Sequence, residues 1–377
     1  MTPPVSFRSE AKDPLRAPPD IGMSAHHPRE SFDLALRITV KHAGVRRSTI
    51  PFSHGLVFVH PAPFAPHRRR CALSESEKVI TRWSEVPSGS FERHMYWLAV
   101  PEVNARYTRK AVEGLPYRTW SQYCVGEFLQ GRTPVDRMLS VGCGAGGMER
   151  ELESIGCFRR MDGIDVTPAL IEKAREQAAA ANLSTITYHA TSIEEFPLED
   201  ESVDVVWFNG SLHHINSLES TLLRLSRTLK GGGYLFANEY IGPSYFGLTP
   251  RQKEVITGAH LLIPRRFRGF LDDKQFGELL PPQIPDPDEV RAADPSEAVR
   301  AGEIVPLLKE SFEVLKVNPA GGTILQFLLS GIAGNFRADD PDSITTLNLL
   351  FAIEDTLLEL GDLPSDFAVI VARKKMA

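Results

Sequence analysis

Arg137-Met138-Leu139-Ser140-Val141 runs straight into Gly142-Cys143-Gly144-Ala145-Gly146-Gly147, an apolar strand followed by a glycine-rich turn. After the turn, Met148, Leu152 and Ile155 fall at i, i+4 and i+7, the spacing of one helix face. Strand, glycine turn and helix in that order let a ligand approach the backbone closely and let the helix pack tightly on the sheet. The glycines alone leave the ligand open. Gly142, Gly144 and Gly146 satisfy one nucleotide-binding pattern, and Gly142, Gly144 and Gly147 satisfy the dinucleotide pattern. Asp165 follows Gly146 by 19 residues at the end of the next strand, where a carboxylate accepts hydrogen bonds from ribose hydroxyls.

Outward from the turn, strands and helices alternate for about a hundred residues, the pattern of a parallel sheet wrapped by helices. A second strand ends at Ile164-Asp165, and Thr167-Pro168 predicts a helix opened by a hydroxyl cap with proline in its first turn. Strands three and four are read at Ile186 to Thr191 and Val203 to Phe208. Leu218, Leu222, Leu225 and Leu229 predict one helical stripe that stops at Gly231-Gly232-Gly233, before a fifth strand at Tyr234 to Asn238. Residues 240–303 break the alternation and read as an insertion outside the sheet. Phe312 to Val317 and Phe367 to Ala372 then read as the last two strands, separated by a helix with Leu350, Ile353, Leu357 and Leu360 on one side.

Upstream, residues 1–70 hold ten of the 28 prolines and six of the eleven histidines, and eleven Lys or Arg against five Asp or Glu. They are expected to be a disordered basic extension, with one short strand at Gly55 to His60. Residues 71–134 are expected to form a helical lid or cap, interrupted at Pro101, with Tyr96, Trp97, Val100, Val103 and Tyr107 on one side. Residues 71–377 carry 31 basic against 43 acidic side chains, which disfavours a nucleic-acid partner. Cys71, Cys124, Cys143 and Cys157 show no metal-ligand or paired spacing, so no disulfide framework and no metal are expected. No apolar run reaches the ~18 to 20 residues of a membrane span, and a cytoplasmic protein without membrane contact is expected.

The stretch from Met138 to Tyr240 resembles the class I S-adenosylmethionine-dependent methyltransferases. Leu139 to Gly146 is similar to their first motif, Gly163-Ile164-Asp165 to their ribose-binding motif, and Ser192 to Leu198 to their adenine segment. Val203 to His214 resembles their strand-four motif, and Leu229 to Leu235 their turn into strand five. The resemblance implies a Rossmann-like, seven-stranded, mostly parallel sheet within residues 135–377, and S-adenosylmethionine as cofactor. It places the methionine part of the cofactor on the loop from Ser140 through Gly142, Cys143, Gly144 and Gly146, with the Asn209 backbone near the ammonium or sulfonium end. It places the ribose on Asp165, and adenine against Val166, Ser192 and the Ile193 backbone. Ser140 and Ser192 stand where that class often carries acids. Ile304 to Arg373 resembles a subgroup of mostly small-metabolite enzymes, some accompanying carbohydrate biosynthesis.

The acceptor side is less specific. Methyl transfer is an in-line displacement, so alignment and exclusion of water matter most, and a base is needed only for some acceptors. His213, His214 and Glu239 are the candidate catalytic groups at the mouth of the fourth and fifth strands. Arg265-Arg266-Phe267-Arg268 reads more readily as a solvated face than as an anion grip, and Arg106 is placed with Tyr96, Trp97 and Tyr107 in a lid. The expected function is methylation of a small-molecule acceptor at oxygen, nitrogen or sulfur, a thioether amino acid such as methionine being one option. The alternatives are a protein or peptide methyltransferase recruited through the basic tail and a non-catalytic binding module.

Overall fold

The computed structural model describes residues 74–84, 96–269, 277, 282 and 284–375. The expected extension 1–70, and the short strand expected within it, lie outside the described residues. Among the described residues three helices precede the sheet: α1 (Glu75–Ser84), α2 (Pro101–Ala111) and α3 (Trp120–Phe128). Pro101 does not interrupt a helix as the sequence reading expected. It opens α2 in the first turn, where its missing N–H leaves no bond unmade. The Thr119 side chain caps α3 by accepting from the Gln122 N–H, and the helix then lays Trp120 against Trp207, ring centroids 5.4 Å apart. This helix packs on the sheet as core rather than serving as a lid.

The sheet alternates with helices as expected: β1 (Val135–Val141), α4 (Gly147–Ile155), β2 (Phe158–Asp165), α5 (Pro168–Ala180), β3 (Ile186–Ala190), β4 (Val203–Asn209), α6 (Leu218–Thr228) and β5 (Leu229–Tyr240). Helices α7 (Pro250–His260), α8 (Pro287–Ala293) and α9 (Ile304–Ser311) follow. The chain closes with β6 (Phe312–Gly321), α10 (Leu325–Leu328), α11 (Pro341–Glu359) and β7 (Phe367–Lys374). The seven strands lie in the order β3-β2-β1-β4-β5-β7-β6, with β7 antiparallel to both its neighbours and the other pairings parallel. Strand order reverses between β1 and β4, and the crevice beyond their carboxyl ends is where such sheets receive ligands.

Alternate residues of the strands feed two cores. Met138, Trp207 and Phe236 face α3, α4 and α5, while Leu139, Phe208 and Leu235 face α6 and α9. Full burial of a side chain such as Phe208 contributes about 1.5–3 kcal/mol, so each face anchors its helices independently.

Several boundaries differ from the sequence reading for identifiable reasons. Leu229 opens β5 rather than ending α6, because its backbone is extended and pairs with Val203. The register shifts between Val203 and Val205, so the Gly231–Gly233 run is a bulge inside the strand and not a helix stop. Thr167 stands at the cap of α5, but its side chain makes no capping bond; its N–H donates instead to Asp165 Oδ1. In α11 the buried stripe is Ser343, Thr346, Leu347, Leu350 and Glu354, and Leu360 is exposed. Glu354 joins the stripe, where its Oε2 accepts from Arg106. The described part of the insertion 240–303 carries α7 and α8 and buries Ile256 and Ala259 in the same core as Trp207 and Phe236.

Asp366, at the entry to β7, is fully buried and accepts from Gln252 Nε2 at 3.0 Å, while its Oδ1 meets no hydrogen-bond donor among the described residues. Burial pushes its pKa up to about 7. An acid whose folded pKa is raised stabilises the fold fully below its unfolded pKa. That contribution is lost as the pH rises towards the folded value, here between about 4 and 7. Asp366→Asn is therefore expected to be more stable than the parent above pH 7, by roughly 1–4 kcal/mol from linkage. The difference should vanish towards pH 4. Denaturant unfolding at both extremes checks it, and an equal difference at the two pH values would contradict the assignment.

Candidate functional site

Gly142, Gly144 and Gly146 all take left-handed backbone angles, with φ of 69°, 53° and 75°. Each does so for a different reason. A Cβ on Gly142 would strike Ser211, and one on Gly146 would strike the Tyr188 hydroxyl, whereas Gly144 faces open space. Asp165 ties this loop down: Oδ2 accepts from the Gly144 N–H at 2.9 Å and Oδ1 from the Thr167 N–H at 2.8 Å. The carboxylate is only partly buried and lines the cavity, so its remaining lone pairs face it. Beyond it, Val166 is 41% exposed, an apolar side chain offered to the same cavity, and Ser192 and Ile193 follow along one wall. Ser192 Oγ already accepts from the Glu195 N–H at 3.3 Å.

The structure sets two of the expected cofactor residues behind the loop rather than on it. Gly146 makes room for Tyr188, and Ser140, 1% exposed, donates to Glu149 Oε1 at 2.5 Å. Glu149 lines the cavity and was not singled out from the sequence. Burial pushes its carboxyl up to about 7, against the Ser140 hydrogen bond, which lowers it. The acid missing from β1 thus has a counterpart on α4. Asn209 ends β4 and is paired in register with Asn238, whose Nδ2 donates to Asn209 Oδ1 at 3.0 Å; Tyr107 OH donates to Asn238 Oδ1.

At the opposite end, Glu239 is fully buried and accepts three hydrogen bonds: the Ser211 and Leu212 N–H groups at 2.8 Å each, and His213 Nδ1 at 2.7 Å. It does not reach the cavity as the sequence reading expected, because its oxygens are consumed holding the turn after β4. It is a positioning group for His213. His213 Nε2 lies 3.6 Å from Glu297 Oε1. Burial lowers the His213 pKa, but the Glu239 hydrogen bond and the Glu297 carboxylate outweigh it and raise the value to about 10. With the site in this state His213 is a proton donor at neutral pH. His214 stacks obliquely on His213 with centroids 4.3 Å apart, meets Trp83 of α1 edge-on, and bonds Ser296 Oγ through Nδ1 at 3.0 Å. Burial and the neighbouring His213 charge hold its pKa below the ordinary value.

Ser296 and Glu297 come from the insertion, where nothing in the sequence marked them. One cavity of about 1440 Å³ joins the glycine loop, Asp165, Ser192, Asn209, His213, His214 and Glu297. Its far wall is aromatic: Tyr96, Trp97, Tyr107, Tyr240, Phe246 and Phe367. Trp97 meets Tyr107 at 5.8 Å and Tyr240 meets Phe367 at 5.4 Å, both edge to face. The expected lid aromatics thus do line the cavity. Arg106 does not: its guanidinium is buried against Glu354 at 2.8 Å and Asp355 at 2.6 Å. Arg266 pairs with Asp340 and Asp342 on the surface, in line with a solvated face. Among the described residues no helix is long and apolar enough to cross a membrane.

Residues 139–237 match the sequence model of a family described as methyltransferase domain. The malonyl-[acyl-carrier protein] O-methyltransferase of Enterobacter lignolyticus is 33% identical over 99 residues, 26% of this chain and 37% of that protein. The 27-O-demethylrifamycin SV methyltransferase of Amycolatopsis mediterranei is 27% identical over 161 residues, 41% of this chain and 53% of that protein. The chain thus spans about a third to a half of the length of these relatives. Among solved structures, the geranyl diphosphate C-methyltransferase from Streptomyces coelicolor A3(2) is similar with a TM-score of 0.47 and 12% identity, over 81% of this chain and 99% of that one. The match over 139–237 makes this segment similar to a methyltransferase domain, and the glycine loop, the aspartate that ties it and the strand order are those expected of the class I, S-adenosylmethionine-dependent kind.

Proposed function

We propose that this chain transfers a methyl group from S-adenosylmethionine to a small-molecule acceptor. The observation that carries the reading is the single cavity that runs from the Asp165-tied glycine loop to the histidine pair beneath an aromatic wall. At about 1440 Å³ it exceeds the roughly 300–1,000 Å³ of a site for one drug-sized ligand, so cofactor and acceptor fit side by side. Ribose on Asp165 and adenine against Val166 and Ser192 direct the methionine end towards Gly144 and Asn209, with Glu149 beneath as a carboxylate for the ammonium. The methyl then faces His213, Tyr240 and the aromatic wall. Alignment in a dry pocket supplies most of the acceleration for an in-line displacement. The wall suits an acceptor with an apolar or aromatic face.

The test is to incubate the protein with S-adenosylmethionine labelled in the methyl group and a metabolite extract, and to separate products by size. Label in compounds below peptide size is the expected result. Label confined to proteins would favour the peptide-acceptor reading, and calorimetric failure to bind S-adenosylmethionine would favour a module without catalysis.

A further inference from the structure

The protons of the two histidines at the acceptor end are placed by their neighbours. Glu239 Oε1 is taken by two backbone N–H groups and Oε2 faces His213 Nδ1 at 2.7 Å, so the carboxylate accepts on both sides and the His213 proton sits on Nδ1. At His214 the chain of donors runs the same way. Ser296 Oγ gives its proton to Asp294 Oδ1 at 2.7 Å and must accept from His214 Nδ1 at 3.0 Å. Each ring keeps Nε2 as its ligand atom, the arrangement in which an acceptor behind the ring orients a metal-binding imidazole. Glu297, from the insertion, stands with them. One ligand atom from each of His213, His214 and Glu297 lies within 4.8 Å of the other two, and all three residues line the cavity.

We propose that His213, His214 and Glu297 form a site for a divalent transition-metal ion, whose open positions take an oxygen anion of the acceptor. Ligands at about 2.1 Å from one ion stand roughly 3–3.5 Å apart, so closing the trio asks for side-chain shifts on the order of 1 Å. Two imidazole nitrogens and one carboxylate suit zinc or ferrous iron and leave positions free, whereas magnesium and calcium favour all-oxygen sets. The buried Glu239 and the partly exposed Glu297 set two carboxylates against a dication held between neutral rings. The sequence reading expected no metal because the cysteines show no ligand spacing, and Glu297, 83 residues beyond His214, carries no local spacing that would have marked the trio. The part assigned to the acceptor rests on the methyl-transfer reading; the metal site does not.

The test is a calorimetric titration of the chelator-treated full-length protein with Zn2+, paired with a separate titration with S-adenosylhomocysteine. The parent is expected to bind Zn2+ with a stoichiometry at least one higher than a His213→Ala/His214→Ala/Glu297→Gln variant, which allows for the six histidines of residues 1–70. Glu239→Gln, which keeps one acceptor oxygen for the Ser211 and Leu212 N–H groups and replaces the oxygen facing His213, is expected to weaken that site about 10- to 100-fold. Glu297→Gln alone keeps the fold question separate, and retained S-adenosylhomocysteine binding shows that each variant is folded. Equal Zn2+ binding by the parent, Glu297→Gln and the triple variant would overturn the proposal. Loss of S-adenosylhomocysteine binding by the parent would overturn the methyl-transfer reading and leave the metal site standing.

Discussion

Asp165→Ala is expected to weaken S-adenosylhomocysteine binding by about 100-fold or more. The carboxylate makes two charge-assisted bonds within the loop, to the Gly144 N–H at 2.9 Å and the Thr167 N–H at 2.8 Å, and presents its remaining lone pairs to the cavity. Hydrogen bonds to charged groups contribute about 1.5–3 kcal/mol each. Loss of one loop bond together with the ribose contacts already passes the 2.7 kcal/mol that corresponds to about two decades in affinity. Gly144 is the sensitive point, since it holds a left-handed angle with open space before it and Asp165 Oδ2 accepts its N–H. Asp165→Asn keeps one acceptor and is expected to fall between parent and alanine variant. Calorimetry gives the affinities, and a thermal melt shows that both variants remain folded. A folded alanine variant within about threefold of the parent would remove Asp165 from the cofactor site.

The loop and Asp165 were legible in the sequence because strand, turn and helix are local. Their spacing is set by the geometry of one βαβ unit, and the glycines are demanded by positive φ and by the side chains of Ser211 and Tyr188. His213 and His214 were legible as a local feature too, the turn that follows β4. Their partners were not. Glu297 and Ser296 reach them from an insertion whose helices carry no family pattern, and no periodicity links residues that meet only in the folded chain. Glu239 stood out as a charge at a strand end, yet its role depends on which way the strand faces. In β5 it points into the turn after β4, where two backbone N–H groups and an imidazole consume it. Leu229 shows the converse error. A leucine in helical phase went to a strand because pairing with Val203 outweighed periodicity. Ser140 reads as a lost acid until Glu149, nine residues on, is found against it.

The largest loss of stability is expected from Glu354→Leu, about 3–5 kcal/mol, because it removes one partner of a buried charge pair. Glu354 is fully buried in α11. Its Oε2 accepts from Arg106 of α2 at 2.8 Å, and Oε1 accepts from the Ile324 and Leu325 N–H groups at the start of α10. One carboxylate thus joins the cap helix, the last long helix and the segment that carries Phe327 into the cavity wall. Gly321 is shaped for it, since a Cβ there would fall 2.6 Å from Glu354 Oε2. The leucine variant leaves the Arg106 guanidinium with Asp355 alone, and two backbone donors without their acceptor. Arg106→Met combined with Glu354→Leu removes the stranded charge, so the pair is expected to lose less than the sum of the single changes, with a coupling of about 1–3 kcal/mol by denaturant unfolding. Additive losses would mean that the two groups do not act together. Because α10 borders the aromatic wall while Asp165 and the glycine loop line the other end of the cavity, cofactor affinity of the folded single variant is expected to stay within about threefold of the parent. Acceptor turnover should fall instead, separating the cap's contribution to the aromatic wall from the part of the fold that holds the methyl donor.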